Sequence, residues 1–348
     1  MATLPLNSGA VTLLDFAKSI DPNGRTARVI ELLSQTNEIL TDMPFIEGNL
    51  PTGHRTTIRT GLPAVTWRQL YGGVAPSKSV RAQVDDTVGM LETRSEVDVD
   101  LLKLNADQNA FRLSEAQAFL EAMNQAMADT LIYGNVNVNP ERFTGLAPRY
   151  SSLSAGNGAN IIDAGGTGSN NTSIWLVVWG ENTCHGIYPK GSEAGLLHED
   201  LGTIDAFDGS NNRYRAMAER WQWKAGISLR DWRYAVRIAN INVTDLAAQS
   251  GTQASTAATA IIRLMLRATQ LIPYMGMGKP VFYANRTVKT ALAQAALNVN
   301  SAFVGWENAV NQLGSISPGS AGSGAAMNFL KVPVRTVDRI VNTEARVV

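Results

Sequence analysis

The sequence predicts an α+β fold, and three observations carry that prediction. Residues 54 to about 97 are strand-like but offer no consistent apolar face to bury. Residues 107–133 hold a long helical period, and from residue 174 onward short apolar strands alternate with helices. A chain of 348 residues exceeds the size at which one core keeps growing, so one large or two to three smaller compact units are expected. With 45% hydrophobic, 17% charged and 7% aromatic residues, it falls outside the collagen-like, disordered and disulfide-scaffold classes.

Taken in order, residues 10–19 (AVTLLDFAKS) and 25–40 (RTARVIELLSQTNEIL) read as two short helices split by Asp21-Pro22-Asn23-Gly24. Together they make an arm, 1–45, more than a domain. The following segment is rich in Thr, Val, Arg and Gln and is punctuated by Gly61, Pro63, Gly72, Gly73 and Pro76, which gives two limbs around a loose tip. A two-stranded ribbon alone is marginally stable in water. At about 3.3 Å per residue, a limb of about fifteen residues reaches roughly 50 Å, beyond the radius of a single domain.

From Asp107 to Tyr133, Leu113, Ala116, Leu120, Met123, Met127 and Leu131 recur at intervals of three and four, the packing stripe of an amphipathic helix. Gly134-Asn135 is its expected stop. Such a helix is a rod of roughly 40 Å. Asn137–Ser173 reads as loop, and Ile174–Trp179 (IWLVVW) as a strand buried on both faces. Trp221, Trp223, Ala225, Ile227 and Leu229 alternate with polar residues as in a half-buried strand, with Gly226 as a candidate bend. Helices are expected at Ala257–Leu271 and Thr287–Leu297, with a core strand at Pro280–Ala284 between them. Gly314–Gly324 reads as an exposed loop and the last residues, from Lys331, as strand.

Charge and motifs exclude more than they assign. Lys plus Arg and Asp plus Glu are both 30, so no net field draws polyanions or anionic membrane from a distance. The single cysteine, Cys184, forms no intrachain bridge, which fits a reducing cytoplasm. The N-terminus lacks the pattern of an export signal, and no apolar run approaches the roughly 20 residues that span a bilayer. "GMGKP" at 276–280 has Pro273 and Pro280 where a phosphate loop needs Gly and Ser or Thr, and no apolar helix follows "DAGGTGSNN" at 163–171. Cys184, His185, His198, Glu199 and Asp200 lack the spacing of a compact metal site and read as surface residues on a loop. No nucleophile elbow is present, so neither catalysis nor a cofactor is expected.

Arg213, Arg215, Arg220, Lys224, Arg230, Arg233 and Arg237 lie beside Trp221, Trp223, Trp232 and Tyr234. Interleaved cations and aromatics occur where nucleic acid stacks on rings. The favoured reading is a sheet with tryptophans inward and arginines outward, often paired with carboxylates of a neighbour, because the alternation already places the tryptophans on the buried side. Arg213, Arg215, Arg220, Arg230 and Arg233 therefore stand as candidates for an outward, contact-forming basic surface.

In order and spacing the chain resembles the major capsid proteins of tailed bacteriophages, the Hong-Kong-97-type fold. The segments that carry this are "LPAVTWRQL" (62–70), "EVDVDLLKL" (96–104), "FRLSEAQAFLEAMNQAMADTLIYGN" (111–135), "PERFTGLAPRY" (140–150), "SIWLVVWGENTCHGIYPKGS" (173–192), "GKPVFYANRTVKTAL" (278–292) and "VPVRTVDRIVNTEA" (332–345). The resemblance implies an N-terminal arm at 1–45 and an extended loop at 46–98. It places a peripheral domain at 99–150 and 331–348 around a spine helix at 107–133, and an axial domain over most of 151–330. It also implies self-assembly into hexamers and pentamers of a closed icosahedral shell around double-stranded DNA, without sequence-specific contacts.

The implied partners are a separate scaffolding protein, a portal protein and, optionally, a decoration protein. The implied location is the virion, with the host cytoplasm before assembly. The extended loop would lie on a neighbouring subunit. Trp67, Leu70 and Tyr71 are its candidate apolar anchors, or else a cluster pinning the ribbon's own base, and Arg55, Arg59, Lys78 and Arg81 are further contact candidates. Lys78 stands near the tip, but no partner asparagine is identifiable and no cross-link is predicted. The rival readings are an encapsulin-like nanocompartment shell, another virion component such as a tail protein, and an α/β enzyme using the His185–Asp200 segment.

Overall fold

A computed structural model describes residues 35–104, 108–207, 211–247, 252–297, 304–306 and 327–348. The expected arm helix at 10–19, most of that at 25–40, Asp107 and the Gly314–Gly324 segment lie outside these residues.

The centre of the fold is strand β6, Asn171–Trp179, buried at every position. Side chains alternate across a strand, so its apolar run feeds two cores at once. Ile174, Leu176 and Val178 enter one cluster; Trp175, Val177 and Trp179 enter the other. Around β6 the sheet continues antiparallel into β10 (Ala235–Asn242) and β11 (Lys279–Ala284), and β11 pairs in parallel with β14 (Val332–Thr336). Helices Thr252–Leu271 and Arg286–Leu297 cover the first face through Ile261, Met265, Val288 and Leu292. The second face is covered by Met127, Leu131 and Ile132 of the long helix, by Phe143, Leu146 and Tyr150, and by Ile39 and Met43. Fully burying one such aliphatic or aromatic side chain contributes about 1.5–3 kcal/mol, so this double-sided strand anchors the molecule.

The sheet extends away from this centre along one exceptionally long strand, β9, Arg213–Leu229. Residues 216–225 pair with β4 (Gly89–Asp98), its other side pairs with β8 (Leu196–Phe207), and its last residues join β7 (Cys184–Tyr188). Gly226 sits where the partner changes from β4 to β7. A Cβ there would lie 2.5 Å from the Thr87 carbonyl oxygen, so the crossing chain demands glycine. Trp221, Ala225 and Ile227 are buried and Trp223 and Leu229 partly so, matching the alternation.

The long helix runs Gln108–Tyr133, 26 residues, and so about 39 Å. It stops at Gly134, where a Cβ would lie 2.4 Å from the Phe143 carbonyl and 2.5 Å from that of Thr130. Its packing changes along its length. Met123, Met127 and Leu131 are buried as expected of the stripe, but Leu113 and Leu120 are 63% and 37% exposed and Ala116 is half-buried. Over the first half Phe111 is buried with Val97, Leu101 and Leu102, Phe119 stacks on Trp221 at 5.5 Å, and Arg112 pairs with Asp200 and Glu219. The small β8–β9–β4 sheet meets a different face of the helix there from the one the main sheet meets further on.

Further expectations change. The span 46–98 is not one ribbon, because β4 leaves it to pair with β9. The Cys184–Asp200 set divides: Cys184 and His185 are buried in β7, whereas His198, Glu199 and Asp200 are exposed as expected but lie in strand β8, not a loop. Asn137–Ser173 contains the short strand β5 (Ile161–Asp163) and the start of β6. At the C-terminus strand geometry ends at Thr336, and polar bonds together with buried Val337, Ile340 and Val347 hold the remainder. Glu344 accepts from Arg237 Nη2 at 2.9 Å and from the Tyr133 hydroxyl at 2.5 Å, while Arg237 also donates to the Tyr150 carbonyl at 2.8 Å.

Candidate inter-subunit surface

Strands β2 (Gly53–Gly61) and β3 (Val80–Thr87) form a separate two-stranded ladder, in register from Gly53↔Thr87 to Arg59↔Arg81 and Gly61↔Val80. Burial divides it sharply. At the root His54 and Asp86 are buried. Asp86 pairs with Arg149 at 2.8 Å, Arg230 Nη2 lies 3.2 Å from His54 Nε2, and the His54 ring meets His185 edge-on at 5.9 Å. One step outward, Arg55 binds Asp85 through two contacts of 2.6 and 2.7 Å.

Beyond that point the ribbon touches no core. Across residues 62–79 Trp67 and Tyr71 are fully exposed, and Leu62, Val65 and Leu70 are 82%, 94% and 87% exposed. The tip still has order of its own: Ser77 donates to the Ala64 carbonyl at 2.9 Å, and Tyr71 takes a left-handed φ of 65° in the turn closed by Gly72 N–H on Gln69. Trp67, Leu70 and Tyr71 therefore do not pin the base, which His54, Asp86, Arg149 and Arg230 hold. The tip is also one-signed. From Thr56 to Val84 the sequence carries Arg59, Arg68, Lys78 and Arg81 and no carboxylate. Arg59 stands directly opposite Arg81, a destabilising pairing unless an outside partner offsets it.

The basic residues of β9 and of the turn that follows it are mostly paired within the chain. Arg220 donates to Glu92 at 2.8 Å and Glu199 at 3.3 Å, and this pairing holds the Glu92 carboxyl at about 2. Arg233 pairs with Asp231 at 2.7 Å, and Arg213 lies 3.8 Å from Asp205 and over the Phe207 ring. Exposed Arg215 stands opposite Asp205, and Arg230 faces His54.

The residues an enzyme would need are not assembled for chemistry. Burial pushes the Cys184 thiol up, and burial, then Arg230 and His54, lower His185 to about 4. His198 is stacked on Trp221 at 5.3 Å beside Glu219. Among the described residues no three His, Cys, Asp or Glu side chains gather to hold a metal. No helix among them is long and apolar enough to cross a membrane.

Residues 21–348 match the family described as major capsid protein GP7. The chain belongs to that family. A chain from the cryo-EM structure of bacteriophage Epsilon15 is 34% identical, with 100% of this chain and 99% of that one covered and a TM-score of 0.73. The bacteriophage JBD30 capsid is 12% identical over 89% of this chain and 92% of its own, with a TM-score of 0.45. An encapsulin from Synechococcus elongatus PCC 7942 is 10% identical over 63% and 92%, with a TM-score of 0.42, and carries no argument for a compartment shell. No curated protein matches.

The GP7-family chain is thus a structural protein of a tailed-phage capsid with the Hong-Kong-97-type α+β fold, not an enzyme. It acts in the virion as one copy among many in a homo-oligomeric shell. Sequence reasoning found the ribbon from its missing apolar face. It missed the root cluster, whose members come from four separate stretches with no local period.

Proposed function

We propose that this chain closes its shell by laying ribbon 53–87 and arm 1–45 on sister copies, forming hexamers and pentamers. Under this reading 99–150 and 331–348 are the peripheral domain and most of 151–330 is the axial domain. One observation carries the proposal: an ordered tip whose Trp67 and Tyr71 are fully exposed. Aromatic residues dominate interface energetics, and leaving this many apolar side chains in water is unfavourable for a chain that stays alone. Each docking need be no larger than a standard interface of about 1,600 Å², because a subunit in a closed lattice makes several together.

Assembly takes place in the host cytoplasm, with a separate scaffolding protein and a portal protein, and decoration proteins as an optional outer layer. The shell encloses double-stranded DNA without sequence-specific contacts, as zero formal charge favours. The test is to replace 62–79 by a tight turn and express the chain with its scaffold. Electron microscopy should find soluble folded subunits and no shells; normal shells would refute the proposal.

A further inference from the structure

Between the start of β4 and the second half of the long helix lies a groove of about 220 Å³. Leu91, Met127 and Phe143 are among its apolar walls, and Met90 beside them is more than half exposed. Two charged residues line it. Arg142 is paired with Asp129 at 3.1 Å, whereas exposed Glu141 has no cationic partner among the described residues. The surface is therefore apolar with one uncommitted negative charge. The ribbon tip is its complement: Trp67 fully exposed, with Arg68 next to it and no carboxylate from Thr56 to Val84.

We infer that this groove is the seat for a sister copy's ribbon tip, with the Trp67 indole inside it and Arg68 against Glu141. The inference rests on the docking reading above and adds the address. Size agrees: a cavity of roughly 150 Å³ accepts a benzene ring, so a space half as large again takes the two fused rings of an indole. Polarity agrees as well, because Trp and Arg are the residues that most often anchor protein interfaces in such pockets. The charge pair adds register, since an arginine beside the inserted ring distinguishes this groove from any neutral apolar depression. A second copy is the occupant because the complementary tip belongs to this chain and is held away from its own core.

A charge exchange tests the seat. R68E and E141R are prepared singly and together, with A126F as a variant that fills the groove. Thermal melting checks folding, and sedimentation with electron microscopy measures assembled yield in the presence of scaffold. Each single variant should lower the yield several-fold, the double variant should restore it, and A126F should lower it with the melt unchanged. Unchanged assembly by R68E, or a double variant no better than its parents, would overturn the seat. If tip replacement still abolishes shells in that case, the docking reading stands and only its address is wrong.

Discussion

His185 shows at the scale of one residue how the ribbon root sets a pH window. Its ring is fully buried beside Arg230 and His54, and the folded pKa falls to about 4 from an ordinary 6.5. Above pH 6.5 both folded and unfolded rings are neutral and nothing changes. Between 6.5 and 4 the unfolded chain takes the proton first, so stability falls as pH falls, by an order of 3 kcal/mol in all. Carboxylates such as Glu92, held at about 2, weaken the fold only at lower pH. Urea unfolding from pH 7 to 5 should show about 2 kcal/mol of this loss in the native chain and a flatter profile in His185→Gln.

Arg237 and Glu344 make the second residue-scale case. Both side chains are 5% exposed, so removing one leaves a buried charge. Glu344→Ala should lower stability by about 3–5 kcal/mol in denaturant titration, and Arg237→Met with Glu344→Leu should lose much less. Neither the histidine nor this pair was legible in the sequence. Glu344 reaches Arg237, Ser173 and Tyr133 from remote positions, and no local period encodes such contacts.

At the scale of elements, what the sequence made legible follows the physics of each segment. β6 and the inward tryptophans of β9 were readable because burial on one or two faces writes a period into the chain. The long helix was readable in extent, but not in which residues of its first half touch the body, since that depends on the β8–β9–β4 sheet beneath. Leu113→Ser should change the melting temperature little, whereas Phe111→Ala should cost about 3–5 kcal/mol, the usual penalty for emptying a buried aromatic site. The ribbon was legible by what it lacked. Joint replacement of Trp67 and Tyr71 by Ser should leave subunit stability within about 0.5 kcal/mol, as for surface sites, while sharply reducing assembly.

At the scale of the whole molecule, two cores on opposite faces of β6 and the long strand β9 make a body from which one cationic, apolar finger projects. Under the proposed docking this is a division of labour for a structural protein: the core holds shape, and the finger turns it into contact with a copy of itself. The Arg59–Arg81 opposition fits the same proposal, because like charges directly opposite are destabilising and an acidic surface on a docked neighbour would relieve them. The most direct test is a cryo-EM map of the assembled shell resolved to side chains. Residues 62–79 should lie on a sister subunit, with the Trp67 ring shielded from solvent by that neighbour. A map in which the tip stands free, or folds onto its own chain, would contradict the account.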